Sequence, residues 1–336
     1  MIRGPMAALA VAAGVLALLP AAAEATPTPG STPLPATATP APGAPAGTVK
    51  LIFQRVGGRP RFAIVGRRVL VHGTVTPYVS GQSVSVGFYL DGHEMGVKTV
   101  SVLAGGGGAG SFEVAFTSAS AGLLQVRVAH VATAQQSAFS AQLGGVRYVH
   151  PNLGLGARGQ SVRLLQSELK ALHYAVPLTG VIDEGTGQAL IAYRKLTGLE
   201  RIPYAGTHLF ELLLRHAGSF HVRYRADGRH VEANLTRQVL AEIEPGGRVR
   251  EIYTTSSGKP STPTVLGRFR VYLKTPGENS EGMVDSNYFI RGYAIHGYAE
   301  VPTYAASHGC LRVPIPDAPA IYGWLKTGTP VDVYYE

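Results

Sequence analysis

Hydrophobic and polar residues alternate along several short stretches between residues 49 and 145. The clearest stretches are 69–75, 84–90, 112–116 and 124–128, all rich in β-branched and aromatic residues. Turn residues separate them, and residues 105–108 are four consecutive glycines that must form a loop. Alternation with a period of two at this spacing is typical of two packed antiparallel sheets. The pattern predicts an all-β sandwich over residues 49–145.

The hydrophobic period changes between residues 150 and 218. Val162, Leu165, Leu169 and Leu172 recur every three or four residues and fall on one helical face. Similar patterns follow at 189–196, after Gly180, and at 209–213. This segment is predicted to be a small three-helix bundle.

Alternation returns after Phe220. Segments 238–244 and 248–255 flank Pro245-Gly246-Gly247, a turn typical of a hairpin. Further strands are predicted at 269–273 and 330–334, and only 318–326 has a helical pattern. Residues 221–336 are therefore expected to form a predominantly β domain, which makes the 336-residue chain a multidomain protein.

The first 48 residues have no pattern of a folded domain. Arg3, a 14-residue apolar stretch from Met6 to Leu19 and the small residues around Ala25 are typical of an export signal. We expect a signal peptide at 1–25, with an uncleaved anchor as the alternative. Residues 26–48, rich in Pro, Thr and Ala, are expected to be an extended linker. The protein is predicted to be secreted, extracytoplasmic and wall-associated, without a stable membrane span after cleavage.

The positive charge is unevenly distributed. The net charge is +9, yet residues 221–336 hold 13 Lys/Arg against 12 Asp/Glu, whereas residues 49–220 hold 16 against 8. The excess lies outside the C-terminal domain and favours attraction to an anionic wall or membrane surface. No basic run with interleaved aromatic residues is present, so nucleic acid is not a predicted partner.

The candidate chemistry is concentrated in His296-Gly297 and Ser307-His308-Gly309-Cys310-Leu311-Arg312. Cys310 is the only cysteine, and a nearby imidazole from His296 or His308 can take its proton to form a nucleophilic thiolate. Gly309 permits a tight turn that presents backbone amides to an oxyanion. A zinc site is disfavoured because the Cys and His spacing matches no common structural site. In papain-like enzymes the Cys lies far upstream of its His, unlike here. No metal and no cofactor are predicted.

These motifs resemble the L,D-transpeptidase catalytic domain, also called the YkuD or ErfK family. The similarity extends through Gln238-Val239-Leu240, the segment 255–259, Thr262-Pro263-Thr264 and Tyr288-Phe289. By this resemblance Cys310 is the nucleophile, His296 is the general base and the Gly297 carbonyl orients His296.

The resemblance also implies roles for the neighbouring residues. Ser307, His308 and Gly309 would shape the site, with the amides of Gly309 and Cys310 as the oxyanion hole. Arg312 would contact a substrate carboxylate. Tyr288 would belong to a lid over the donor peptide, although a core aromatic is an equal alternative.

Two weaker resemblances concern the preceding segments. Residues 49–145 resemble bacterial immunoglobulin-like modules, with a spacer as the alternative to a binding role. Residues 150–218 are similar to the peptidoglycan-binding domain 1 family, through the order Gly159…Val162…Leu165-Gln166, then Thr179-Gly180…Asp183. That resemblance implies a wall ligand.

The implied reaction is ping-pong acyl transfer between peptidoglycan stem peptides, the expected donor and acceptor. Cys310 attacks the carbonyl of the third stem residue and releases D-alanine, and an amine of a second stem then forms a 3–3 cross-link. An L,D-carboxypeptidase or exchange enzyme, or an inactive wall-binding protein, remain alternatives.

Overall fold

A computed structural model of the protein describes residue 39 and residues 41–336. The predicted signal peptide (1–25) and most of the predicted linker (26–48) lie outside the described residues. Within the part of the chain that the structure describes, no helix is both long and apolar enough to cross a membrane.

Residues 48–149 form two β-sheets. The strands are β1 (Thr48–Gln54), β2 (Phe62–Ile64), β3 (Arg68–Thr76), β4 (Ser83–Leu90), β5 (His93–Ser101), β6 (Leu103–Ala104), β7 (Gly110–Thr117), β8 (Gly122–His130) and β9 (Phe139–Val149). One sheet has the order β1-β3-β7-β6 and the other β2-β9-β8-β4-β5. Only the pair β2 and β9 is parallel.

The alternation seen in the sequence places one face of each sheet in a shared core. On β8, Leu124, Val126 and Val128 are buried while the residues between them are at least partly exposed. They join one hydrophobic cluster with Val69 and Val71 of the opposite sheet. The immunoglobulin-like character of this segment stays a prediction.

Three helices follow, at α1 (Gln160–Ala171), α2 (Glu184–Thr197) and α3 (Thr207–Leu214). Helix α2 begins at Asp183, whose carboxylate accepts the amide hydrogen of Thr186 at 2.8 Å. It ends at Gly198, which has a left-handed backbone with φ of 72°. The likeness of this segment to a peptidoglycan-binding fold also stays a prediction.

The C-terminal region contains two more sheets. Its elements are β10 (His230–Asn234), β11 (Val239–Glu244), β12 (Arg248–Thr254), β13 (Gly267–Arg270), β14 (Leu273–Glu278), β15 (Val284–Ile290), β16 (Tyr293–Tyr298), β17 (Leu311–Pro314), α4 (Ala318–Trp324) and β18 (Pro330–Tyr334). The orders are β12-β11-β10-β18-β13 and β14-β15-β16-β17. The prediction of a predominantly β catalytic domain is confirmed.

One predicted strand is wrong. Residues 269–273 were expected to be continuous, but β13 ends at Arg270 and β14 begins at Leu273 in the other sheet. Between them, buried Val271 donates its amide hydrogen to Thr329 and Tyr272 donates to Tyr288. The chain therefore crosses from one sheet to the other at this point, which an unbroken hydrophobic pattern cannot indicate.

Strand β11 is buried on both faces. All five residues from Val239 to Ile243 are buried, without alternation. Leu240 belongs to the core between the two C-terminal sheets, together with Ile295 and Leu311. Val239 and Ala241 instead belong to a cluster that includes the apolar faces of α1, α2 and α3. The helices thus cover the outer face of the catalytic sheet, and the two share one core.

Candidate active site

The parallel pair β16 and β17 brings the two parts of the motif together. His296 lies within β16 opposite Arg312 of β17, and Cys310 is the last residue before β17 begins. Thirteen residues lie between His296 and Cys310 in the sequence, and the parallel crossover returns the chain to the same edge. His296 and Cys310 consequently line one cavity.

A tight turn presents the thiol. Ser307 is buried, and its hydroxyl accepts the Gly309 amide hydrogen at 3.0 Å and donates to the Cys310 carbonyl at 2.6 Å. Gly309 has a φ of +122°, and a Cβ at this position would lie 2.4 Å from the ring of Tyr293. Both the backbone conformation and the close approach therefore require glycine.

His296 is buried and held in one orientation. Its Nδ1 lies 2.9 Å from the carbonyl oxygen of Gly297. A proton on Nδ1 completes this hydrogen bond, which leaves Nε2 unprotonated in the neutral imidazole. Burial lowers the pKa of His296 to about 4, an effect only partly offset by the Gly297 bond and reinforced by the positive charge of Arg312. At neutral pH this imidazole is an uncharged base.

Cys310 is partly buried, and its Sγ lies 3.7 Å from the carbonyl oxygen of Gly292. Burial raises the pKa of the thiol, and the nearby Glu281 carboxylate raises it further, while Arg312 acts in the opposite direction. The resting site is therefore a neutral thiol beside a neutral imidazole. Proton transfer from Sγ must accompany attack on a substrate.

The other residues predicted for the site occupy different positions. His308 is exposed, with its Nε2 3.2 Å from Nζ of Lys259, and lines the same cavity. The guanidinium of Arg312 lies over the Tyr298 ring at 4.0 Å. Tyr288 does not contribute to this cavity; its ring lies beside that of Tyr272.

The cavity has a volume of about 360 Å³ and contains residues that the sequence did not reveal. Its lining consists of Glu281, Met283, His296, Tyr298, Ser307, His308, Cys310 and Arg312. Glu281 and Met283 come from the turn between β14 and β15, and no motif marks them. In the sequence they could be found only by their position, because this hairpin directly precedes β16, which carries His296. Among the residues that the structure describes, no three His, Cys, Asp or Glu side chains are grouped to hold a metal ion.

The cavity is supported by a segment that the resemblance had included. The Thr264 hydroxyl donates to the Gly309 carbonyl at 2.8 Å and accepts the Gly258 amide hydrogen at 2.8 Å. The Thr262 hydroxyl donates to the Ser307 carbonyl at 3.1 Å. These threonines fix the backbone on either side of His308, although neither lines the cavity.

Comparison with known proteins is consistent with this geometry. A family profile of the L,D-transpeptidase catalytic domain (YkuD) matches residues 228–333. The crystal structure of an L,D-transpeptidase from Xylanimonas cellulosilytica is 32% identical, with a TM-score of 0.51, and the match covers 55% of this chain and 98% of that one. An L,D-transpeptidase from Stackebrandtia nassauensis is 23% identical over 54% of this chain and 93% of its own, with a TM-score of 0.35.

No curated protein matches the chain. The matched range contains every residue that lines the cavity, from Glu281 to Arg312. The Xylanimonas match is also longer than the catalytic domain, since 55% of 336 residues is about 185. On this similarity and the arrangement of its site, the chain belongs to the L,D-transpeptidase family.

Proposed function

We propose that the protein forms 3–3 cross-links in peptidoglycan through a thioester on Cys310. The observation that carries the proposal is the placement of His296 and Cys310 on one cavity, with His296 Nδ1 bound to the Gly297 carbonyl. This bond supports the proposal that the unprotonated Nε2 acts as the base. Beside Met283 and Tyr298, the cavity is lined by polar and charged side chains, which suit a peptide with carboxylate and amine groups.

In the first step, Nε2 of His296 takes the Sγ proton while Sγ attacks the carbonyl carbon of the third stem residue. The tetrahedral intermediate then collapses, the bond to the terminal D-alanine breaks, and the imidazolium returns its proton to the departing amine. In the second step, His296 takes a proton from an acceptor amine, which attacks the thioester carbonyl. The Cys310 thiol is released and the new amide is the cross-link.

The oxyanion is proposed to form beside the turn 307–310. In the free site the Gly309 amide donates to Ser307 Oγ, so it becomes available only when that bond is broken. The Cys310 amide is therefore proposed as the first donor to the oxyanion. Each such donor contributes about 10²–10³ in rate in comparable enzymes.

Two charged side chains are proposed to recognise the stems. Arg312 is positioned over Tyr298, which leaves its planar fork to bind a carboxylate. Glu281 lines the cavity, and its negative charge lies close enough to Cys310 to influence the thiol. A carboxylate here suits an approaching ammonium group. Glu281 is thus proposed to attract the acceptor amine before it loses its proton.

The N-terminal segments are proposed to deliver the enzyme to its substrate. Residues 1–25 would direct export, residues 49–145 would act as an immunoglobulin-like module, and residues 150–218 would bind the wall. Support comes from the charge excess of residues 49–220 and the pattern resemblances. Electrostatic wall binding should weaken between low salt and about 0.5 M salt, because screening shortens the reach of exposed charges to a few ångströms. Sedimentation with isolated walls measures this, and salt-independent binding would contradict it.

The function is tested by incubating the protein with tetrapeptide-bearing muropeptides and identifying products by mass spectrometry. Cross-linked dimers that retain a third-residue linkage are expected. Tripeptides without dimers would show that water, not an amine, takes the acyl group, and the enzyme would be an L,D-carboxypeptidase. Unchanged muropeptides would contradict the proposal.

A further inference from the structure

Helix α2 and the segment after it extend two cationic side chains into the catalytic domain. Lys195 is only 2% exposed, and its ammonium donates to the Gln238 carbonyl at 2.9 Å, the Thr255 carbonyl at 2.9 Å and the Thr254 hydroxyl at 2.6 Å. All three acceptors are neutral and belong to the catalytic domain. Burial, together with the nearby positive charge of Arg201, lowers the pKa of Lys195 well below its usual value, and the three hydrogen bonds to the catalytic domain offset part of this desolvation cost.

The acceptors of Lys195 lead directly to the nucleophile turn. Gln238 accepts the Ser257 amide hydrogen at 2.9 Å and donates to the Ser257 hydroxyl at 2.7 Å. The Ser257 carbonyl in turn accepts the Ser307 amide hydrogen at 2.9 Å. Since the Ser307 hydroxyl binds both Gly309 and Cys310, an unbroken series of hydrogen bonds connects Lys195 to Cys310.

A second series reaches Arg312. The Thr255 hydroxyl donates to the Arg312 carbonyl at 2.7 Å. The Ser256 amide also donates to this carbonyl, and the Arg312 amide donates to the Ser256 carbonyl, both at 3.0 Å. Because Lys195 binds the Thr255 carbonyl, it holds the segment that follows β12 and pairs with Arg312 of β17.

Arg201 holds the loop that approaches the turn from the other side. Its guanidinium donates to the Thr303 carbonyl at 2.5 Å and to the Thr236 carbonyl at 3.4 Å. The adjacent Tyr304 carbonyl accepts the Ser256 hydroxyl at 2.6 Å. Residues 303–307 are therefore held between the helical region and the segment 255–259.

We infer that Lys195 and Arg201 form a positioning brace, through which the helical region sets the geometry of the Ser307–Cys310 turn for acylation. The inference rests on the proposed function of Cys310. It gives the helices a part in catalysis in addition to any affinity for the wall. Neither side chain lines the cavity, so both act through other residues.

Charge-removing substitutions test the brace. Lys195→Met and Arg201→Met keep apolar bulk and delete the donors, and Lys170→Met is the matched control. Lys170 also joins the helices to the catalytic sheet, by a 2.7 Å ion pair with Glu251, but that pair is part of neither hydrogen-bond series. The probe is a carbapenem, whose strained ring presents an activated carbonyl to a nucleophilic thiol. The rate and the final extent of Cys310 acylation are measured by the intact mass of the full chain.

The brace predicts slower acylation with an unchanged endpoint of one adduct per chain. A displacement on the order of 1 Å at a reacting group costs up to about 100-fold, so we expect 10- to 100-fold losses for Lys195→Met and Arg201→Met and none for Lys170→Met. Alkylation of Cys310 by iodoacetamide, which requires no oxyanion stabilisation, should keep its rate. A merely structural role would instead lower the endpoint and leave the remaining molecules at the wild-type rate.

The outcomes separate the two claims. If wild-type Cys310 is not acylated, the proposed function fails and the brace fails with it. If the wild type is acylated and both variants match it, only the brace is overturned. Equal losses in acylation and alkylation would also overturn it, because they would indicate a disturbed thiol and not a displaced turn. Should Lys195→Met fail to fold, the Arg201→Met variant decides alone, because Arg201 is only half-buried.

Discussion

The helical region packs against the rest of the protein on two sides through one hydrophobic cluster, and on the catalytic side a buried lysine also reaches the segment beside the active site. On the catalytic side it shares a hydrophobic core with β11 and β12, and buried Lys195 reaches the segment beside the active site. On the sandwich side the same cluster includes buried Phe62, Ile64 and Val149, with Phe62 edge-on against Phe210 at 6.0 Å between ring centroids, and the ion pair between Arg67 and Glu211 lies at the surface. Although the helical region resembles a wall-binding module, it also completes the catalytic domain by covering the outer face of its sheet.

The largest effect is expected when the helical region is removed. A chain of residues 219–336 exposes the outer face of the catalytic sheet, including Val239, Ala241 and Ile252, to water. We expect it to be insoluble or unfolded, whereas residues 150–336 should fold and acylate. Circular dichroism and carbapenem labelling of both chains check this. A folded, active 219–336 chain would show that the shared core is dispensable.

The pH dependence of acylation should be the same with and without the sandwich. Burial holds the pKa of His296 at about 4, so the base stays neutral and competent down to that pH. Acylation should fall only as the pH drops below about 4, where an ordinary histidine would cause a loss below about 6.5. The groups responsible for the burial lie in the catalytic domain, so residues 150–336 should give the same profile as the full chain.

Stopped-flow acylation between pH 3.5 and 8, with circular dichroism to confirm that the protein remains folded, measures the acid limb. Replacing Arg312 with Met removes a positive charge that lowers the pKa of His296, and should shift the limb to higher pH. A limb near 6.5 in the wild type would contradict the buried base. It would instead favour His308, which lines the same cavity, as the base.

The smallest effect is expected at the sandwich side. Arg67→Ala removes an ion pair whose arginine side chain is 62% exposed, and such pairs contribute about 0.2–1 kcal/mol. The free energy of unfolding should fall by no more than this, without a change in acylation rate. Urea denaturation and carbapenem labelling test both parts. A slower rate would mean that the sandwich also acts on the site.

Much of the catalytic domain could be predicted from the sequence, but not the way in which the helices support it. The turn Pro245-Gly246-Gly247 indicated the hairpin of β11 and β12, and the motif around Cys310 indicated the candidate nucleophile and its histidine. Hydrophobic periodicity shows which residues are buried but not what covers them, so the helices packed on Ala241 could not be foreseen. Lys195 looks like an ordinary surface lysine near the end of a helix. Its burial depends on strands that begin more than 40 residues later.

Glu281 illustrates a second reason. Glu281 lines the cavity because the turn between β14 and β15 forms part of its wall, and a glutamate in a polar turn has no local signature in the sequence. For Tyr288 the family resemblance implied a lid or a core aromatic, and the structure places its ring beside that of Tyr272 and outside the cavity lining. Motifs identify residues that react, whereas contacts between distant segments decide which others face the substrate.

Cys310 is proposed to be the acylated nucleophile and His296 its base. Intact mass spectrometry of the full chain, of Cys310→Ala and of His296→Ala after incubation with a carbapenem tests it most directly. We expect one adduct on the wild type, none on Cys310→Ala, and acylation slowed by about 10²–10⁴ in His296→Ala. An adduct that persists in Cys310→Ala, or a wild-type rate in His296→Ala, would contradict the account.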